Sequence, residues 1–322
     1  MEVQVTVVGA GVIGLVTALT LEERGLDVRV VATSTGATTT SAIAGAVWFP
    51  YQVGPPDKVP VWAARTAAWL TGLAADRDTG IDILTGYEID DDHAPRAGAG
   101  HHQAPGAGAG HPAVPWWAAA TPVERVPAPV TGAPLAWRFT APRAEPAQLL
   151  PWLAARLRHP IEHRTVVALA DEPGDVVVDC TGLAARELAP DPAVVPLFGQ
   201  IVIAAPGGVD LSVTVTDDRV PDEIFYCIPR RAELVLGGCS RPWPPGAPPV
   251  IDPALTARIL RQAAALGLPI GDVITVRTGL RPFRPAVRLA REGRIVHNYG
   301  HGGAGFTLCR GCAEDVGELI RT

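Results

Sequence analysis

Valine-rich residues 3–8 form an apolar run of the length of a buried parallel strand, and the apolar positions of residues 12–24 then recur at helical spacing. Residues 27–31 return to a strand pattern, so the start of the chain predicts a βαβ unit. Further along, the periodicity predicts an amphipathic helix over 62–73, a strand at 86–89, a helix over 147–158 and a strand over 161–169. Residues 175–179 form a buried strand ending in a small-residue turn, and residues 225–230 and 234–238 pair as a hairpin. Residues 294–299 form a last strand, a glycine-dense turn follows, and residues 312–320 have helical spacing. Backbone amides therefore gather near the end of the chain at a helix N-terminus with few side chains in the way.

The first turn reads Gly9-Ala10-Gly11-Val12-Ile13-Gly14 between strand and helix. There Gly9 makes the tight turn, Gly11 lets a pyrophosphate approach the backbone and Gly14 lets helix pack on strand, which predicts dinucleotide binding. The end of the second strand reads Ala32-Thr33-Ser34, with no acid until Asp57 to bond an adenosine ribose. A hydroxyl from Thr33 or Ser34 is the available substitute.

Composition narrows the partners. A formal charge of -6 without a basic cluster argues against a nucleic-acid surface and for small molecules. No apolar run reaches the roughly 20 residues that cross a bilayer, and residues 1–8 carry no basic leader, so neither a membrane nor secretion is expected and the location expected is the cytoplasm. Lys58 is the only lysine, which leaves little scope for Schiff-base chemistry. The cysteines are odd in number, so disulfides are not expected. Cys309 and Cys312 form a CxxC with no second pair and no histidine at zinc spacing, and four histidines at 93–112 lie in Gly, Ala and Pro that fix no geometry. No metal site is expected from either.

The first turn and the Val296-His297-Asn298-Tyr299-Gly300-His301-Gly302-Gly303-Ala304-Gly305-Phe306-Thr307 stretch together resemble the D-amino-acid oxidase family of FAD enzymes, from residue 3 to about 320. The resemblance implies bound FAD, with Gly9, Gly11, Val12, Ile13 and Gly14 at the adenylate end and Thr33 in place of the ribose acid. That loss weighs more against an NAD enzyme than against a flavoprotein, whose cofactor has many other contacts. Thr38, Thr39 and Thr40 match the family's threonine cluster, and Gly45 and Ala46 the segment beside the flavin. Val166, Thr181 and Gly182 match its further FAD contacts, and Gly302, Gly303, Ala304, Gly305, Phe306 and Thr307 its C-terminal turn.

The resemblance also places the chemistry. Arg281 occupies the position of an arginine that binds the substrate carboxylate, where a planar guanidinium orients its partner through two parallel hydrogen bonds. Tyr226 matches a tyrosine assisting the same carboxylate, and the carbonyl of Gly303 receives the amine. Hydride then passes to flavin without a side-chain base, giving a 2-oxo acid, ammonia and hydrogen peroxide. Arg284, Arg288, His297 and His301 read as structural. Animal members carry a second, lid tyrosine, and this chain has no tyrosine between Tyr87 and Tyr226, so a short lid is expected.

The implied fold is α/β, a Rossmann-like FAD-binding domain (1–80, 140–190 and 275–322) interleaved with an antiparallel-sheet α+β substrate domain (81–139 and 191–274) carrying a flexible insertion at 93–112. The implied partners are a D-amino acid and molecular oxygen, with a homodimer as the candidate assembly. Acids at 217, 218, 222 and 223 point to neutral substrate side chains. A glycine, sarcosine or biosynthetic amine oxidase on the same fold, and a catalytically impaired FAD-binding protein, stay open as alternatives.

Overall fold

The computed structural model describes residues 3–90, 114–220 and 223–321. The insertion read at 93–112 and Asp222 lie outside them. The chain runs β1 (Gln4–Val8), α1 (Val12–Glu23), β2 (Asp27–Ala32), α2 (Thr40–Ile43), α3 (Val59–Leu73) and β3 (Ile81–Asp90). It continues with β4 (Glu124–Pro127), β5 (Leu135–Ala144), α4 (Pro146–Ala154), β6 (Glu162–His163), β7 (Val176–Asp179), α5 (Ala185–Leu188) and β8 (Val195–Ala204). Then come β9 (Val213–Asp217), β10 (Phe225–Pro229), β11 (Leu234–Gly237), β12 (Arg241–Pro242), α6 (Pro253–Ala265), β13 (Val273–Glu292), β14 (Ile295–His301) and α7 (Gly305–Arg321). Two compact units result, one of residues 1–82, 142–197 and 281–322, the other of 83–141 and 198–280.

In the first unit the strand order is β14-β7-β1-β2-β6, all neighbours parallel, with residues 283–292 of β13 antiparallel to β14. Val5 sits between Val28 and Val176 in register. Burial on both faces explains why β1 and β7 are near-continuous apolar runs. Helix α1 is buried around most of its circumference because it packs against both α7 and α4. Helices α3 and α7 approach so closely that a Cβ on Gly311 would lie 2.3 Å from Cα of Trp62.

Several boundaries differ from the periodicity. Helix α3 starts at Val59, with a proline in its first turn. Helix α4 ends at Ala154, short of 158, because the Arg158 amide donates to the Glu22 carboxylate (3.0 Å) and Pro160 disfavours helix before it. The strand expected over 161–169 is reduced to Glu162–His163, since β2 ends opposite them and offers no further partner. Val166 instead lies off the strand, buried with Val8, Val31, Leu169 and Val177. Pro282 and Pro285 fall inside one long β13, and Pro285 is tolerated because the pairing to β14 shifts register between Phe283 and Arg288. Helix α7 begins at Gly305, ahead of the periodic stretch.

The second unit has strand order β4-β5-β3-β9-β10-β11-β8, with β4–β5, β9–β10, β10–β11 and β11–β8 antiparallel and β3–β9 parallel. Phe198, Phe225, Leu234 and Leu236 pack with Leu255, Ile259 and Ala263 of α6. Asp252 caps α6 by accepting from the amides of Ala254 (2.9 Å) and Leu255 (3.1 Å). Trp117 is buried edge-on against Phe139, a packing role. Among the described residues no helix is long and apolar enough to cross a membrane.

Candidate active site

Close contacts fix the glycines of the first turn. Gly9 has φ +115, and a Cβ on it would meet the carbonyl oxygen of Cys180 at 2.4 Å. One on Gly14 would meet the carbonyl oxygen of Gly9 at 1.8 Å, so α1 lies directly on the turn. No side chain caps α1 at Gly11, and the amide of Val12 donates to Oγ of Ser41 (3.0 Å). Gly305, at the start of α7, faces this point: a Cβ there would lie 3.5 Å from Val12 and 4.0 Å from Ile13. Two helix N-termini thus converge, and their partial positive charges add where a pyrophosphate or an electron-rich ring belongs.

Beside the turn, a cavity of about 410 Å3 is lined by residues that include Ala10, Thr35, Gly36, Ile161 and His163. At the end of β2, Oγ1 of Thr33 lies 3.5 Å from both the carbonyl oxygen of Arg164 and Oγ1 of Thr165, contacts at the limit of hydrogen bonding. Thr38 and Thr39 donate their hydroxyl hydrogens to the carbonyls of Thr35 and Gly36, both at 2.8 Å. Their oxygens keep only acceptor capacity, and Thr40 opens α2. Ala46 is buried with φ +58, in a segment bridged to Arg143 through Val47.

The two remaining segments are tied by buried polar bonds. Oδ1 of Asp179 accepts from the amide (3.1 Å) and hydroxyl (2.7 Å) of Thr181, which holds the turn into Gly182, φ +62. Its Oδ2 accepts from Nδ1 of His297 at 3.1 Å. The Gly302 amide donates to Pro282 (2.8 Å) and that of Ala304 to His301 (2.9 Å), which shapes the glycine turn. Thr307, in the first turn of α7, clasps Phe49: its Oγ1 accepts from the Phe49 amide (3.1 Å) and donates to the Phe49 carbonyl (3.0 Å). The imidazole of His301 is buried and held down to a pKa of about 3 by burial, so it is neutral. Its Nε2 and Oδ1 of Asn298 find no hydrogen-bond partner among the described residues.

Arg281 lies against the same turn. A Cβ on Gly303 would sit 3.6 Å from Cδ of Arg281, 3.7 Å from its Nε and 3.8 Å from Cδ1 of Tyr51. Arg284 and Arg288 instead face Asp191, at 2.9 and 3.6 Å. Burial acts to raise the Asp191 pKa, but hydrogen bonds from Tyr299 and Arg284 outweigh it and hold the carboxyl below its ordinary value. The thiols of Cys309 and Cys312 are fully buried and pushed up by burial, so they are protonated and unreactive.

In the second unit Tyr226 pairs with Thr216 and Gly237, and its ring lies over two glycines. A Cβ on Gly237 would be 2.2 Å from its Cζ, and one on Gly238 2.5 Å from its Cε1. Glycine at both positions is therefore what gives Tyr226 its place. Asp217 is held by Arg219 through two bonds of 2.8 and 2.9 Å, so one of the four acids of this segment is neutralised. Arg230 is buried and paired with Glu233 at 3.1 Å, while Arg231 is exposed. Tyr51 and Asp191 went unread in the sequence. An aromatic residue a few positions beyond the small-residue segment was the available signal for Tyr51, and Asp191 had none.

The residues fit FAD: two helix starts converge on a glycine turn, a cavity adjoins it, and buried polar atoms beside it are unmatched among the described residues. Comparison with known proteins agrees. Residues 4–319 match the family described as FAD dependent oxidoreductase (DAO). The chain is 42% identical to a D-amino-acid oxidase of Rubrobacter xylanophilus, over 97% of this chain and 94% of that one. It is 38% identical to a D-amino-acid oxidase of Streptomyces coelicolor, over 98% and 96%. Among solved structures, glycine oxidase from Geobacillus kaustophilus shares the fold with a TM-score of 0.74 at 20% identity, covering 99% of this chain and 95% of that one.

Proposed function

This chain belongs to the FAD dependent oxidoreductase (DAO) family, and from that premise we infer that it is an FAD-dependent D-amino-acid oxidase. The observation that carries the reading is the closeness of the Arg281 stem to Gly303, with Cδ and Nε 3.6 and 3.7 Å from where a Cβ on that glycine would lie, because it sets a guanidinium beside an exposed backbone turn. Gly9, Gly11, Val12, Ile13, Gly14 and the segment from Gly302 to Thr307 would hold the cofactor, which when bound supplies a two-electron oxidant.

The protein's part is position and potential. Arg281 binds the substrate carboxylate in a bidentate bond and so fixes both its place and its plane. The carbonyl of Gly303 accepts a hydrogen bond from the amine, which must be neutral to react, and this selects one face of the α-carbon. The amides at the start of α7 supply a fixed positive potential beside the turn, which needs no reorganisation during the reaction. Among side chains near the turn, His301 is neutral and buried, and the chemistry asks no base of it. The family resemblance gives the hydroxyl of Tyr226 to the same carboxylate. With oxygen as acceptor, the balance is D-amino acid, oxygen and water to 2-oxo acid, ammonia and hydrogen peroxide.

A panel of D-amino acids, their L-enantiomers, glycine and sarcosine, assayed for peroxide and 2-oxo acid, tests this. Peroxide with the D-series is expected. Turnover confined to glycine and sarcosine would move the assignment to a secondary-amine or glycine oxidase, and none at all would leave an FAD-binding protein without this activity.

A further inference from the structure

Glycine at 237 and 238 leaves room for the Tyr226 ring, and it also gives the backbone under that ring more conformational freedom than any other residue would. Something has to hold that backbone in place. Strand β11 pairs with β10 as far as Gly237, opposite Tyr226, and Gly238 lies just beyond the pairing. The amide of Gly238 donates to the carbonyl of Ile224 (3.0 Å), and its own carbonyl accepts from Nη2 of the half-buried Arg258 (2.5 Å). One turn along α6, Nε2 of Gln262 donates to the carbonyl of Glu223 (2.7 Å), on the chain leading into β10. Its Oε1 accepts from Nη1 of Arg258 (3.0 Å), as residues on one helix face can, so the two ends of the Tyr226 segment are joined through one guanidinium. The helix that carries both side chains is itself anchored, with Leu255, Ile259 and Ala263 packed in the core beside Phe225 and Leu236.

We propose that Arg258 is a positioning residue for Tyr226: its bond to the Gly238 carbonyl holds the glycine seat, and with it the phenol hydroxyl, where that hydroxyl meets the substrate carboxylate. The inference rests on the oxidase reading above, which gives the Tyr226 hydroxyl to the carboxylate. A guanidinium suits the task because a charge-assisted hydrogen bond is roughly twice as strong as one between neutral groups, and because it stays charged at any working pH. Without it the carbonyl of Gly238 is free to turn, and the ring loses the surface it rests on. Arg258 acts through Tyr226 alone, which separates this role from a general contribution to stability.

The test is a double-mutant cycle on the holoenzyme, comprising wild type, Arg258→Met, Tyr226→Phe and the double variant, with Arg258→Lys alongside. In each, kcat/KM is measured for D-alanine, and propanoate, an acid without the amine, is titrated by its perturbation of flavin absorbance, which reads carboxylate binding without turnover. Tyr226→Phe is expected to weaken propanoate binding and lower kcat/KM about tenfold or more, the loss of a hydrogen bond to a charged group. Arg258→Met lowers both about fivefold or more in the wild-type background and by less than about twofold in the Tyr226→Phe background, because the hydroxyl it positions is already gone. A merely structural loss would persist in that second background. Arg258→Lys, which keeps a charged donor, recovers both values to within about threefold of wild type. Should Arg258→Met not fold, Arg258→Gln takes its place in the cycle with the same expectations. Equal losses in the two backgrounds, no loss in the wild-type background, or wild-type propanoate binding in Tyr226→Phe would overturn the proposal and leave Arg258 as packing. Were the wild type to bind propanoate yet oxidise no D-amino acid, the oxidase reading would fall, and the propanoate cycle would still decide for or against Arg258. A wild type that binds no propanoate would overturn the proposal whatever it oxidises.

Discussion

Tyr299 donates its buried hydroxyl to Oδ2 of Asp191 across 2.9 Å, and the same hydroxyl accepts from Nη1 of Arg288 at 2.7 Å. Arg284 meets that carboxylate at 2.9 Å, and its side chain lies where a Cβ on Gly300 would come within 2.7 Å. The acid therefore links β14 to the stretch that carries Arg281. Removing it takes the acceptor from the buried Tyr299 hydroxyl and the carboxylate from Arg284, while Arg288 stays paired with Glu292. Asp191→Ala is expected to lower the free energy of unfolding by about 3 kcal/mol or more, read from denaturant midpoints at saturating FAD. A loss below about 1 kcal/mol would show that the network does not hold the turn.

His301 makes stability depend on acidity in a window of its own. Its folded pKa of about 3 lies below the ordinary 6.5, so the unfolded chain binds the extra proton. The stability this neutral group contributes is complete above pH 6.5 and is lost as pH falls from 6.5 toward 3. The slope expected is about 1.4 kcal/mol per pH unit for one proton. His301→Leu removes the titrating group, and the difference between its pH-stability profile and that of wild type should carry this slope between pH 6 and pH 4. Parallel profiles would mean that the imidazole is not held neutral.

Arg281→Leu should leave FAD bound while kcat/KM falls about 100-fold or more, since two charge-assisted hydrogen bonds of roughly 1.5–3 kcal/mol each are lost. Arg281→Lys, a charge without the fork, should recover only part. Near-normal kinetics in Arg281→Leu would refute the carboxylate assignment.

Neutral D-amino acids should be oxidised in preference to D-aspartate. Arg219 neutralises Asp217 and Glu223 is exposed, so the discrimination expected is modest. It should shrink with added salt, since exposed charges are screened over roughly 10 Å at 0.1 M. Comparing kcat/KM for D-alanine, D-methionine and D-aspartate at two ionic strengths checks both points, and D-aspartate as the best substrate would contradict them.

What could be read without coordinates was what depends on near neighbours. The requirement for glycine at 14 is local, since Gly14 abuts the carbonyl of Gly9 within the same turn, and the positive φ of Gly9 belongs to that turn although its contact with Cys180 does not. The strand expected over 161–169 failed because its length is set by where β2 ends, a property of another segment. Helix α7 was read short because Gly305, Phe306 and Thr307 begin it with little periodic signal. Tyr51 and Asp191 escaped for one reason. Each matters through contacts with residues far along the chain, Gly303 for the first and Tyr299 with Arg284 for the second.

Whether this protein oxidises D-amino acids with bound FAD is decided by anaerobic mixing. Purified protein, its cofactor identified as FAD after heat release, is mixed without oxygen with D-alanine, D-methionine or their L-enantiomers while the flavin absorbance near 450 nm is followed. Bleaching by the D-enantiomers alone, reversed on admitting air, is the predicted result. A protein that neither carries nor takes up FAD, or whose flavin is bleached by the L-enantiomers and not by the D-series, would contradict it.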